Sequence, residues 1–186
     1  KICCNDTPEG VDRSLMLPFV RNAPTVPRLL GTRGYQSLQT GKWWEGHYQN
    51  GGFTHGMTTR GRHGEEGLVI GRQTMQPIYD FIDRANGPFF VWYAPMLPHE
   101  PHDPPKRLLD RYRTDEQGRP LDPKVARYYA NCERFDETCG QLLDYLDRKG
   151  LRENTLVALV VDNGWIQETG PRRTRGNFAP KSKLSP

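Results

Sequence analysis

Residues 155–165 read TLVALVVDNGW, an apolar run that ends abruptly in Asp162, Asn163 and Gly164. Its first seven residues are β-branched or aliphatic apart from Ala158, which is the pattern of a strand buried on both faces. Asp-Asn-Gly is turn chemistry in its own right, because Asn and Gly tolerate positive φ and Asp accepts local amide hydrogen bonds. The same triplet also presents a carboxylate and a carboxamide at a strand's carboxyl edge. Two oxygen donors there suit a hard cation such as Ca²⁺ or Mg²⁺ and not zinc.

Working outward, two more strands come into view. QSLQTGK and its neighbours predict a strand from Tyr35 towards Lys42, after a short helix over Val26 to Thr32 and a stop at Gly34. PFFVWYAPM, residues 88–96, predicts a buried strand after an amphipathic helix that carries Ile78, Phe81 and Ile82 on one side. A long helix is expected from Pro123 to Arg148, with Val125, Tyr128, Tyr129, Cys132, Phe135, Cys139, Leu142, Leu143 and Leu146 on its apolar stripe and Gly150 just past its end. Helix, strand and loop therefore recur three times. That order predicts an α/β fold with a largely parallel central sheet flanked by helices. In such sheets ligands bind beyond the carboxyl ends of the strands, where Lys42, His99 and the Asp162–Asn163 pair would all lie.

Composition narrows the classes. The 186 residues carry 26 Lys plus Arg against 22 Asp plus Glu, a mild basic excess of +4 that suits anionic substrates about as well as nucleic acid. With 19 Gly and 16 Pro, much of the chain is loop. No stretch reaches the roughly 18–20 apolar residues of a membrane span. The aromatic residues sit in apolar segments, not interleaved with Arg and Lys, which argues against a nucleic-acid module. Cys132 and Cys139, seven apart, share a helical face and are expected as buried thiols; no CxxC spacing exists. Asn5-Asp6-Thr7 fits a glycosylation acceptor, a triplet that is common by chance. The chain starts at Lys1 without a visible signal peptide, and it is read as an excerpt of a longer protein.

Each candidate also has a plain structural reading. His99 and His102 sit in PHEPHDPP, where flanking prolines stiffen the loop; such histidines are often merely solvated. Lys42, between Gly41 and two tryptophans, would snorkel from an aromatic patch. The basic tail Arg172–Lys183 would ordinarily be a solvated loop, although a nearby anion would give its lysines a partner. Residues 45–67, with seven glycines and three histidines, predict a long loop of the functional or mobile kind.

Taken as an ordered set, PTVPRLLGTRGYQSLQTGKWW, GPFFVWYAPMLPHEPHDPP, VARYYANCERFDETCGQLLDYLDRKGLRENTLVALVVDNGW and the closing KSKL resemble the sulfatase family of the alkaline-phosphatase-like superfamily. The resemblance runs from about residue 24 onward. It implies that residues 1–186 are part of a single sulfatase-like catalytic domain, without its nucleophile segment and C-terminal region. It also implies a divalent cation, usually Ca²⁺ with Mg²⁺ as the alternative, held by Asp162, Asn163 and acidic residues of an earlier strand. Lys42, His99 and Lys183 match the family's sulfate-binding and leaving-group residues. The substrate implied is a sulfated small molecule or glycan, and a periplasmic or secreted location is favoured. The chemistry suits these residue types, because the charge that repels a nucleophile from a sulfate ester is neutralised by a cation and ammonium groups. An imidazole can protonate the departing oxygen.

Two departures stand out. The family's nucleophile is a formylglycine made from Cys or Ser in a C/S-x-P-x-R motif; Cys3 and Cys4 precede NDTPEG and do not fit, so the formylglycine is expected upstream of residue 1. The family also usually reads Gly-Lys-Trp-His where Trp44 stands in the fourth place here. The lost histidine assists sulfate release, and His47 or His55, in the glycine-rich loop, is the candidate replacement. The reading is a sulfuric ester hydrolase. The alternatives are a phosphodiesterase or phosphonate hydrolase of the same superfamily, and an inactive homologue that binds anionic glycans, which Trp44 favours.

Overall fold

The computed structural model describes residue 10 and residues 12–60 and 65–161. The chain forms two compact units, Lys1–Met96 and Leu97–Pro186.

The first unit is built on a three-stranded, all-parallel sheet in the order β2-β1-β3. The strands are β1 (Gln36–Gly41), β2 (His55–Gly56) and β3 (Phe89–Ala94). β1 pairs with β3 along its whole length, from Gln36 opposite Phe89 to Gly41 opposite Ala94. Helix α1 (Leu17–Asn22) and α2 (Val26–Gly31) precede β1, and α3 (Gln76–Arg84) precedes β3. Prolines in the first turn start α2 and α3, where a missing N–H costs nothing. Ile78, Phe81 and Ile82 of α3 are buried, each worth about 1.5–3 kcal/mol of hydrophobic stabilisation.

The second unit contains α4 (Lys106–Leu109) and α5 (Pro123–Arg148). Asp122 caps α5 by accepting hydrogen bonds from the amides of Lys124 and Val125. Gly150 follows with φ of 66°, the left-handed turn that ends the helix. Arg107 forks onto Glu137 with two 2.5 Å contacts, and Arg111 pairs with Glu133, so α4 and the turn after it are tied to α5. The guanidinium beside it holds the Glu137 carboxyl below the usual carboxylate range.

Several expectations need correction. The strand expected over 155–161 is not one. The segment follows a 3₁₀ turn (Arg152–Asn154) and pairs with no strand among the described residues. Its apolar side chains face solvent, with Leu156 94% and Val160 85% exposed. An apolar run supplies the propensity for a strand, but the hydrogen bonds come from a neighbour, and here none is provided. The third strand is instead His55–Gly56, inside the glycine-rich stretch read as loop. PFFVWYAPM does form a strand, but a half-buried one whose Trp92 is 44% exposed. Residues 13–22, for which no element was expected, form a 3₁₀ turn and α1.

The stripe on α5 is also displaced. Of the nine residues expected on it only Leu146 is buried, while Ala126, Ala130, Asn131, Thr138 and Tyr145 fill the buried line. Asn131, one of them, donates to the Pro101 carbonyl in the loop before α4, so a tertiary partner outweighs apolar periodicity at that position. Cys132 and Cys139 are free thiols but only half-buried.

Candidate functional site

Lys42 stands one residue past the carboxyl end of β1, and its backbone is fixed from several directions. Its N–H donates to the Ala94 carbonyl at 2.6 Å, extending the pairing of β1 with β3. Gly41 turns the chain with φ of 77°, and a Cβ there would sit 2.0 Å from the Ala94 oxygen, so the position admits only glycine. The Gly41 carbonyl accepts from the Gln39 amide at 2.9 Å and from the Thr58 hydroxyl at 3.3 Å. Gln39 closes the circuit by accepting the Thr58 backbone N–H at 3.0 Å. Gln39 is fully buried and Thr58 nearly so. The Lys42 carbonyl in turn accepts from the Trp92 indole at 3.5 Å. A buried polar circuit with its donors and acceptors met is rigid, and this one ends at the lysine.

The exit of β3 is held in a related way. Arg72 donates to the Met96 carbonyl through Nε at 3.1 Å and through a second guanidinium nitrogen, and the Met96 N–H donates to the Gly67 carbonyl at 2.9 Å.

The two described histidines of the glycine-rich stretch, His47 and His55, have different surroundings. His47 accepts the Gln49 N–H on Nδ1 at 3.3 Å, capping the 3₁₀ turn Tyr48–Gly51, and its ring lies 4.4 Å from that of Tyr48. The Tyr48 N–H bonds the Thr58 carbonyl at 2.9 Å, so His47 is one residue from the circuit beneath Lys42. With Nδ1 accepting, neutral His47 carries its proton on Nε2. His55 is exposed, pairs with Leu38 in the middle of β1, contacts Thr54 Oγ1 at 2.9 Å and packs on Phe81. Phe81 packs on Phe89, opposite Gln36 at the start of β1. His55 thus belongs to the amino half of the sheet, about 13 Å of strand short of Lys42.

His99 lies in the second unit, between the cis peptide bonds Leu97–Pro98 and Glu100–Pro101. Its Nδ1 is 2.9 Å from the Glu100 carbonyl. A carbonyl only accepts, so Nδ1 donates. The loop is anchored on α5. Asn131 donates to the Pro101 carbonyl at 3.3 Å, Arg134 to the Asp103 carbonyl at 3.2 Å, and the His102 ring meets Tyr128 edge-on at 5.6 Å. His102 is therefore a packing residue. Burial pushes the Tyr128 phenol up to about 12.

Asp162, Asn163 and Lys183 lie outside the described residues, as does the basic tail. Among the described residues no group of three or more His, Cys, Asp or Glu side chains is gathered to hold a metal ion. No helix among the described residues is long and apolar enough to cross a membrane.

The residues together with the family resemblance pointed to Lys42, His47, His55 and His99, but not to Gln39 and Thr58, which hold the turn into Lys42, or to Asn131 and Arg134, which hold the loop of His99. The one available signal was polarity in the wrong place: a glutamine in mid-strand and an asparagine in the middle of a helix.

A parallel α/β sheet that presents a clamped lysine beyond a strand's carboxyl end defines a fold suited to handling anionic groups. The profile of the family described as Sulfatase matches residues 18–183, nearly the whole chain, and the chain belongs to that family. It is a family of hydrolases. No curated protein matches the chain.

Proposed function

We propose that the protein is a sulfuric ester hydrolase. The observation that carries this is the clamped presentation of Lys42 at the carboxyl end of β1, in a chain of the sulfatase family. Lys42, with its backbone held, offers a positive charge to a sulfate oxygen as negative charge develops. The family resemblance assigns His99, whose Nδ1 donates to the Glu100 carbonyl, to the leaving oxygen: as imidazolium it would donate the proton that an alkoxide needs. Lys183 is assigned a second ammonium contact. Ca²⁺, or Mg²⁺ in its place, would be held by Asp162 and Asn163 and would supply charge neutralisation when bound. The 186 residues contain no C/S-x-P-x-R motif, so the formylglycine nucleophile is assigned to residues outside this sequence. The substrate class is a sulfated small molecule or glycan.

A second reading, an inactive binder of anionic glycans, is favoured by Trp44 in place of the usual histidine. Assays of the intact protein on an aryl sulfate and on a matched aryl phosphodiester, with retention on a sulfated-glycan column measured in parallel, separate the readings. Preferred turnover of the sulfate supports the hydrolase. Preferred turnover of the diester supports the related phosphodiesterase, and retention without turnover supports the binder. Asp162→Ala and Asn163→Ala should each lower metal content by elemental analysis, and unchanged stoichiometry in both would exclude that pair as ligands.

A further inference from the structure

We infer that Trp44 is a positioning residue for Lys42, its indole face forming the shelf on which the ammonium rests at the sulfate subsite. The inference rests on the reading of Lys42 as an anion-binding lysine. The backbone of Lys42 is fixed by Ala94, by the Gln39–Thr58 circuit on Gly41 and by the Trp92 indole. Those contacts set where the side chain starts but not where its flexible four-carbon stem ends. The ammonium lies 5.5 Å from the centre of the Trp44 ring, within the range at which a cation is attracted to an aromatic face. Tryptophan is the strongest such partner among the aromatic side chains.

The chemistry of this partner matters. A carboxylate would hold the ammonium, but it would also cancel its charge and compete with an incoming anion. An aromatic face orients a cation without itself adding a negative charge that competes with the ligand. Trp43, one residue earlier, shows the contrast: its ring packs edge-on against Phe53 at 5.5 Å, in the wall of a cavity of about 190 Å³, and it is part of the unit's apolar packing. The two adjacent tryptophans thus have separate tasks. Where the family resemblance has a histidine for proton handling, Trp44 supplies orientation of the neighbouring cation.

The test is a double-mutant cycle on the intact protein, with inorganic sulfate as the probe and its dissociation constant as the readout. Trp44→Leu should weaken sulfate binding about two- to fivefold, the range set by a partly exposed cation–aromatic contact. Trp44→Phe should restore most of the loss. In a Lys42→Ala background, Trp44→Leu should have no further effect. NMR supplies a readout independent of binding: the Lys42 ε-methylene protons should be shifted upfield by the ring in wild type and Trp44→Phe, and not in Trp44→Leu. An equal loss from Trp44→Leu with and without Lys42, or an unshifted methylene in wild type, overturns the inference. If Lys42→Ala alone leaves sulfate binding unchanged, the anion-binding reading of Lys42 fails, and the inference with it.

Discussion

Gln39 donates to the carbonyl of Gly41 two residues along its own chain, at 2.9 Å and fully buried. A glutamine on a strand would ordinarily reach outward to water. Here its amide turns along the strand to hold the residue that redirects the chain into Lys42, and its oxygen takes the Thr58 N–H. The same side chain therefore joins β1 to the glycine-rich segment and sets the lysine's starting point.

Gln39→Leu should destabilise the protein by about 2–4 kcal/mol. It strands the Thr58 N–H and removes one of the two side-chain donors to Gly41, and each buried group left unsatisfied costs about 1–3 kcal/mol. Urea denaturation measures this directly. A midpoint unchanged from wild type would mean the circuit contributes nothing.

The loop carrying His99 depends on α5. Asn131→Ala and Arg134→Ala each remove a donor to a loop carbonyl, at Pro101 and Asp103. Both variants should raise amide hydrogen exchange across residues 98–104 while the middle of α5 stays protected. Loss of protection along α5 instead would show that these residues serve the helix and not the loop.

Alkaline pH should loosen the second unit. Burial raises the Tyr128 phenol to about 12 from its ordinary value of 10. The folded state thus binds this proton more tightly than the unfolded state. Its contribution is fully present below pH about 10 and is lost as pH rises through about 12. Phenolate absorbance should show a late step near pH 12 that Tyr128→Phe removes, and a titration without that late step would contradict the burial described here.

Of the described histidines in the glycine-rich stretch, His47 is the one beside the Lys42 circuit. His47→Asn keeps a side chain able to cap the Tyr48–Gly51 turn and removes the imidazole. Turnover of a sulfate ester should fall about 10²- to 10⁴-fold in His47→Asn if this imidazole assists release, whereas His55→Ala should remain near wild type. In the structure Nδ1 accepts from Gln49, so proton uptake at Nε2 requires the ring to release that contact. The opposite pattern, with His55 essential, would show that the carboxyl edge of the sheet is not where the chemistry occurs.

The fold was readable in the sequence wherever local signals and tertiary packing agree. Pro123 behind Asp122 and Gly150 past the last turn mark both ends of α5, and both ends are found where the caps place them. Val26, Gln36–Gly41 and Phe89–Ala94 likewise sit within elements that propensity and turn residues define. The failures lie where a partner decides. Thr155–Val161 has strand propensity but no neighbouring strand among the described residues, and His55–Gly56 has almost no propensity but lies in register with Leu38 and Gln39. For the site, the side-chain types suited to binding an anion or moving a proton were visible, since Lys and His announce their chemistry. The residues that hold them were not, because Gln39 and Asn131 gain their meaning only from the carbonyls they face.

The central claim, that Lys42 neutralises charge on a sulfate ester, is tested most directly by kcat/KM of the intact protein on an aryl sulfate, wild type against Lys42→Ala. Removing a preorganised charge of this kind costs about 10²- to 10³-fold, so a loss of that size is expected at an unchanged melting temperature. A Lys42→Ala variant within about twofold of wild type, whether in an active protein or in one with no turnover to lose, would contradict it.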